Sequence, residues 1–299
     1  MKIAITGASG FVGGNLIKYL KPKCELNKLS LRYLKNQKIE IREDIVIHLA
    51  GKAHDTKKVS NPSAYYEANF ELTKQLFDAF LQSEASVFIF MSTVKAAADL
   101  VVAVLMEDII PYPKTHYGIA KRQAEEYILA TSLPQGKRVY ILRPCMIHGP
   151  GNKGNLNLLY KLVSKGIPWP LGDFKNQRSF LSIENLCFVI NELLKNNTIP
   201  SGVYNIADDD ALSTNELIQL LGKSLNKNNK IINVPSSWIK KVATIGDYLH
   251  LPLNSERLQK LTESYVVSNS KIIAAIGKQL PVKATTGLLT TFRSFKTIS

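Results

Sequence analysis

A chain of 299 residues with 45% hydrophobic and 21% charged side chains has the material for a large buried core, which excludes a disordered or fibrous protein. No apolar run approaches the roughly 20 residues that cross a bilayer, and Met1 leads straight into apolar sequence, so neither stable membrane insertion nor export is expected and a cytoplasmic location is. The net charge of +14 comes from scattered lysines with no basic run interleaved with aromatics, which argues against nucleic acid and leaves an anionic small substrate to benefit from the field.

In chain order, Lys2 to Thr6 reads as a buried strand that runs into Gly7, Gly10 and Gly13 and then an amphipathic helix to about Leu20. In this pattern Gly7 permits a tight turn, Gly10 admits a phosphate close to the backbone, and Gly13 lets helix and strand pack closely. The helix N-terminus, at Phe11 and Val12, offers free N–H groups and a positive dipole end, so the stretch predicts a dinucleotide pyrophosphate site. A second strand is predicted over Glu25 to Arg32. An acid at its end would hold the ribose 2′-OH of NAD, whereas this strand ends in Arg32, which suits the 2′-phosphate of NADP. A surface arginine with no ligand is the other reading of Arg32. The stretch from Arg32 to Asp44 is too short for a full helix and strand before the next strand, Ile45 to Leu49.

That strand ends in Ala50 and Gly51, which leave room for a ligand at a carboxyl edge; His48 within it is either a satisfied core histidine or a contact. Asn61-Pro62 opens a helix to about Gln82 that carries Asn69 and apolar residues on more than one face. Ser86 to Met91 is a buried strand ending in Ser92-Thr93. Tyr117 and Lys121, at i and i+4, share one face of a helix running to about Ala130. A strand over Val139 to Leu142 ends in Arg143-Pro144. Helices near 155–165 and 184–195 and short strands near 203–206 and 231–234 follow. The alternation predicts an α/β protein, a Rossmann-type doubly wound parallel sheet. Residues 1–150 would form its dinucleotide-binding part and 151–299 a smaller α+β substrate lobe with segments crossing back to the sheet. Cys24, Cys145 and Cys187 have no metal-ligand spacing and read as reduced thiols; no metal is expected.

Thr93, Tyr117 and Lys121 make chemical sense as a hydride-transfer site. Oxidising an alcohol needs a base for its proton and an acceptor for the hydride. A free phenol, with a pKa near ~10, is a poor base at pH 7, and lowering it to ~7 takes roughly 4 kcal/mol. An ammonium one turn away and an oxidised nicotinamide would favour the phenolate.

The Gly-x-x-Gly-x-x-Gly turn, His48-Leu-Ala-Gly51, Ser92-Thr93 and Tyr117-x-x-x-Lys121 resemble the extended short-chain dehydrogenase/reductases, the NAD-dependent epimerase/dehydratase family. Leu142-Arg-Pro to Gly151, Gly166-Ile-Pro-Trp-Pro-Leu-Gly172 and Arg178-Ser-Phe-Leu-Ser-Ile183 narrow this to bacterial UDP-sugar 4-epimerases and UDP-hexosamine 4-ketoreductases of surface-polysaccharide precursor synthesis. The resemblance implies NADP or NAD held by Gly7, Gly10, Phe11, Val12, Gly13, Arg32, His48, Leu49, Ala50 and Gly51. It adds Asn69, Met91, Tyr117, Lys121 and Pro144 to these contacts. It also implies a catalytic hydroxyl on Thr93 or Ser92, and a UDP diphosphate met by Asn155, Arg178 and Arg257. Met146 departs from the family, standing where many epimerases carry a substrate-binding asparagine, and His148 stands where relatives often have tyrosine. In the family the helices matching 62–82 and 117–130 form a homodimer interface; a buried core helix would show the same apolar faces as 62–82. A non-catalytic NADP-sensing or scaffold protein on the same fold is the alternative, one that often loses the Tyr or Lys retained here.

Overall fold

The fold is seen in a computed structural model that describes residues 1–53, 61–152, 154–249 and 254–295. The strands are β1 (Lys2–Thr6), β2 (Glu25–Leu29), β3 (Ile45–His48), β4 (Val87–Met91), β5 (Val104–Leu105), β6 (Arg138–Pro144), β7 (Met146–His148), β8 (Phe180–Ser182), β9 (Gly202–Ile206) and β10 (Val266–Val267). Among the described residues, six of them form one parallel sheet in the order β2-β1-β3-β4-β6-β9. β7 with β8 and β10 with β5 form two small parallel pairs.

Period-2 alternation decides what each face of the sheet meets. Ile3, Ile5, Ile45, Ile47, Val87, Ile89, Tyr140 and Leu142 point to one side. There they pack against Leu16 and Leu20 of the helix Phe11–Leu20 and Leu186, Ile190 and Leu193 of the helix Ile183–Lys195. Ala4, Val46, Phe88, Phe90, Val139 and Ile141 point to the other, against Phe77 and Phe80 of the helix Leu72–Gln82 and Ala124 and Ile128 of the helix His116–Ala130. Because both faces are covered, the strands are near-continuous apolar runs, and the doubly wound sheet follows. The chain leaves β1 for β2 on one side and returns to β3 on the other, so the strand order reverses between β1 and β3. The crevice that this opens lies at their carboxyl ends, where Thr6 is in register with His48. A separate cluster, including Leu156, Val163, Trp169, Leu217, Ile239 and Phe292, gathers the later helices.

Three expected boundaries move, each for a local reason. β2 stops at Leu29, not Arg32, because its partner β1 ends at Thr6, opposite Leu29. β6 continues past Leu142 to Pro144, because β9 pairs with it as far as Ile206. Residues 231–234 make isolated bridges to Trp169 and Leu171 instead of a strand. Trp169 sits between Pro168 and Pro170, and neither proline has an N–H to extend a ladder. Residues 33–44 form neither helix nor strand, as their length predicts. The helix expected over 62–82 is interrupted by a π turn at Glu67–Glu71, which periodicity does not reveal.

Candidate active site

At the end of β1 the backbone folds into a cradle. Gly7 has φ +67°, and a Cβ there would lie 2.7 Å from Ala50 N; a Cβ on Gly13 would collide with the Gly7 carbonyl. The helix Phe11–Leu20 therefore begins tight against the β1 end, with Gly10 N donating to Gly7 O at 3.0 Å. Its first turn has no side-chain cap and no acidic residue, which leaves backbone donors and a positive dipole end for an anion. Phe11 and Val12 are half-buried and pack on the core. These features fit a dinucleotide pyrophosphate.

His48 is wholly buried, so its side chain does not make the cofactor contact expected of it. Thr6 Oγ1 lies 2.7 Å from His48 Nδ1 and accepts hydrogen bonds from Leu49 N and Ala50 N, so it donates its own proton to the ring. Thr73 Oγ1 donates to the Asn69 carbonyl and so accepts from His48 Nε2 at 3.0 Å. Burial, aided by the Lys121 charge, holds the imidazole neutral, with a pKa of about 3. Its role is to fix the turn Leu49–Gly51 against β1.

The π turn places Asn69 at that edge. Its side chain accepts from Lys52 N at 3.1 Å and donates to Lys52 O at 3.0 Å, which clamps the loop after β3. Lys121 converges on the same point: a Cβ on Gly51 would lie 2.6 Å from Asn69 Oδ1 and 3.2 Å from Lys121 Nζ. The Lys121 ammonium donates to the Met91 carbonyl at 2.8 Å and lies 4.5 Å from the centre of the Phe90 ring. Met91 thus serves through its backbone.

One turn earlier on the same helix, the Tyr117 phenol comes close enough to the Thr93 hydroxyl for that hydroxyl to favour its ionised form. Burial raises this phenol to about 12, the Thr93 hydroxyl opposing, and lowers Lys121 to about 7, with Glu125 opposing. The protein alone thus keeps Tyr117 as a neutral proton donor.

Ser92 and Thr93 part company. Successive residues at a strand end point to opposite sides. Ser92 turns away from Tyr117 and donates to Glu125 Oε1 at 2.5 Å. Glu125 is wholly buried and takes a bidentate pair from Arg143, Nε at 2.9 Å and Nη2 at 2.6 Å. Glu125 and Arg143 were not singled out in the sequence, although Glu125 stands four residues beyond Lys121 and so shares its helical face. Pro144, next to Arg143, is buried at the end of β6.

The residues expected at a substrate diphosphate lie in the later part of the chain. Arg178 is half-buried; its Nη1 donates to Lys260 O at 2.5 Å and its Nη2 lies 3.7 Å from Glu263. Arg257 is exposed on the helix Ser255–Thr262, the helix that Arg178 reaches. Asn155 begins the helix Asn155–Ser164. His148 is buried and structural, 2.9 Å from Thr291 Oγ1 and 3.6 Å from Asp208. Met146 is half-buried against the second cluster. Arg32 is exposed three residues beyond β2, its carbonyl accepting from Gln37. The described residues hold no cluster of His, Cys, Asp and Glu fit for a metal, and all three cysteines are free.

The Lys121 burial has a measurable consequence. In the unfolded chain this lysine holds its proton to about 10.5, in the fold only to about 7. Below pH 7 both states are protonated and the burial penalty is present in full. Between about 7 and 10.5 the unfolded chain binds the extra proton, so stability rises with pH. Tyr117 stays neutral in the fold over this window, and in the unfolded chain it ionises only near 10, above the pH range measured. Thermal melting of Lys121→Met from pH 7 to 9.5 is expected to lack that rise; a pH dependence equal to wild type would contradict the assignment.

Comparison with known proteins gives the family and the fold. The sequence pattern of the NAD dependent epimerase/dehydratase family matches residues 3–207. A UDP-glucose 4-epimerase of Vibrio cholerae is 30% identical, over 98% of this chain and 95% of the relative. The UDP-glucuronic acid 4-epimerase of Bacillus cereus, solved with NAD, shares the fold with a TM-score of 0.77 at 20% identity, covering 100% of this chain and 99% of its own. RMD of Pseudomonas aeruginosa, solved with NADPH, does so with a TM-score of 0.72 at 22% identity, covering 98% of each chain. Among the described residues no helix is long and apolar enough to cross a membrane.

Proposed function

The chain belongs to the NAD dependent epimerase/dehydratase family, and from that premise we propose that it acts at C4 of a UDP-hexose or UDP-N-acetylhexosamine, as a 4-epimerase or 4-ketoreductase. The observation that carries this reading is the meeting of the Thr93 hydroxyl, the Tyr117 phenol and the buried Lys121 ammonium beside the Gly7–Gly13 cradle. Gly7, Gly10 and Gly13 with the start of the helix Phe11–Leu20 would hold the pyrophosphate of a nicotinamide dinucleotide, and Leu49 to Gly51 would line its path. When bound, that group exchanges hydride with a sugar carbon. Tyr117 Oη gives a proton to, or takes one from, the sugar O4. Thr93 Oγ1 holds O4 in line, and Lys121 Nζ, anchored on the Met91 carbonyl, biases the phenol toward release. Thr93 is the substrate hydroxyl in this reading, because Ser92 is committed to Glu125.

Residues 1–150 serve as the dinucleotide-binding part and 151–299 mainly as the substrate lobe, with β9 and the helix Ile183–Lys195 crossing back to the sheet. Arg178, Arg257 and Asn155 would meet the UDP diphosphate, where a guanidinium fork suits paired phosphate oxygens. The setting is cytoplasmic synthesis of surface-polysaccharide precursors by a homodimer joined through the helices around 63–82 and His116–Ala130. Reduction has its own support. No carboxylate stands between Arg32 and Lys38 to repel a 2′-phosphate, and Met146 replaces the usual asparagine.

The nucleotides released by heating the purified protein, identified by mass spectrometry, test the cofactor and the sugar class together. NADP(H) is expected to bind more tightly than NAD(H), and Arg32→Ala to narrow the gap. Equal affinities left unchanged by Arg32→Ala would remove the preference for NADP and favour epimerisation.

A further inference from the structure

The helix Ser236–Leu249 carries an apolar stripe that is exposed among the described residues. Its inner face is Ile239, Ala243 and Gly246, of which Ile239 and Ala243 belong to the second cluster. On a separate face Trp238 is 69% exposed, Val242 47%, Ile245 54% and Leu249 64%. Their spacing of i, i+4, i+7 and i+11 gathers them within about 60° of arc on a helix of 3.6 residues per turn. Tyr248, 80% exposed, and the exposed Lys241 border the stripe. The helix has one carboxylate, Asp247, on the side opposite the stripe. It caps the next helix, accepting from Ser255 N at 2.9 Å and Ser255 Oγ at 2.5 Å. An exposed stripe of this kind marks a surface that something covers.

We propose that this helix docks the protein on an anionic lipid surface, the stripe sunk at the headgroup boundary and the lysines at the headgroups. Charge complementarity selects that occupant. Between Glu216 and Asp247 the chain carries five lysines and no carboxylate; Lys241 borders the stripe, Lys240 lies on the opposite side, and Asp173 accepts from Ser236 N at 3.0 Å where the helix begins. Lys227 donates to Ser164 O, which brings this segment to the end of the helix Asn155–Ser164, where Lys161 and Lys165 lie. A second copy meeting this face would set its lysines against their own copy, whereas an anionic leaflet attracts both the cluster and a chain of net charge +14. Tryptophan and tyrosine beside lysine on an apolar face are the side chains that settle at a membrane–water boundary. Fourteen residues extend only about 21 Å, too short to cross, so the helix lies in the plane of the surface. None of these residues is among those assigned to cofactor or sugar, so this docking and the enzymatic reading fail or stand separately.

The chain reports on the event itself. Of its two tryptophans, Trp169 is buried and Trp238 is exposed, so a change in fluorescence on binding reads Trp238. The full-length protein, mixed at low salt with vesicles of phosphatidylglycerol and phosphatidylcholine, is expected to sediment with them and to shift its emission to the blue. Pure phosphatidylcholine should do neither. Val242→Asp with Ile245→Asp, both at exposed positions, should abolish binding while melting as wild type, and Lys241→Glu should weaken it by about an order of magnitude. Absence of binding to the anionic vesicles, or equal binding by the double variant, would overturn the proposal. So would a lipid-free dimer that the double variant loses in sedimentation velocity, since that would give the stripe to a second copy.

Discussion

Tyr117→Phe is expected to lose about 10²–10⁴-fold in turnover and to keep its affinity for the nicotinamide cofactor. The substitution removes one hydroxyl. The phenylalanine ring can keep the packing against Tyr65, whose centroid lies 6.5 Å away, and the Thr93 side chain keeps its contact with Lys95 N at 3.3 Å. In the proposed reaction, what disappears is the group that carries a proton to and from the substrate oxygen. Lys121→Ala should differ, harming cofactor affinity as well, because Lys121 Nζ stands beside both Gly51 and the Met91 carbonyl. Steady-state rates and cofactor titrations on the two variants separate these roles. Comparable loss of cofactor binding in both would merge them.

Glu125→Ala is the substitution expected to cost most in stability. It would leave the Arg143 guanidinium, 1% exposed, with no carboxylate, and would also strip Ser92 of its acceptor. Removing one partner of a buried pair costs about 3–5 kcal/mol, far more than the pair itself contributes over an apolar replacement. For a chain of this size that lowers the melting temperature by on the order of 10 °C. Because the pair ties the end of β4 to β6 and to the helix bearing Tyr117 and Lys121, the surviving folded protein should also turn over more slowly. Melting within a degree or two of wild type would show that Arg143 finds another partner and that the pair is dispensable.

How much of this was legible beforehand depended on whether a signal was local. β1, β3, β4 and β6 announce themselves as apolar runs because helices cover both faces of the sheet. The glycine turn and the Tyr117–Lys121 pair are local spacings and could be read directly. The end of β2 could not, since it is decided by where β1 stops, a fact about another strand. The π turn that delivers Asn69 leaves the apolar pattern of the helix almost unchanged. His48, from its place at a carboxyl edge, reads either as a ligand contact or as a satisfied core histidine. Thr6 and Thr73, 42 residues before it and 25 after it, consume both ring nitrogens. The choice between Ser92 and Thr93 is a matter of one residue's offset, and only the buried Glu125–Arg143 pair beneath β4 separates them. The stripe on the helix Ser236–Leu249 has a helical period and reads as core until the rest of the lobe shows which face is covered.

The most direct measurement of the central claim is the proton spectrum at C4 of UDP-sugars incubated with the purified protein. Wild type should invert C4 of UDP-glucose or UDP-N-acetylglucosamine in the presence of NAD, or reduce the corresponding 4-keto sugar in the presence of NADPH. Tyr117→Phe should do neither at a comparable rate. No change at C4 in any of these mixtures, or wild-type conversion by Tyr117→Phe, would contradict the assignment of Thr93, Tyr117 and Lys121 to this chemistry.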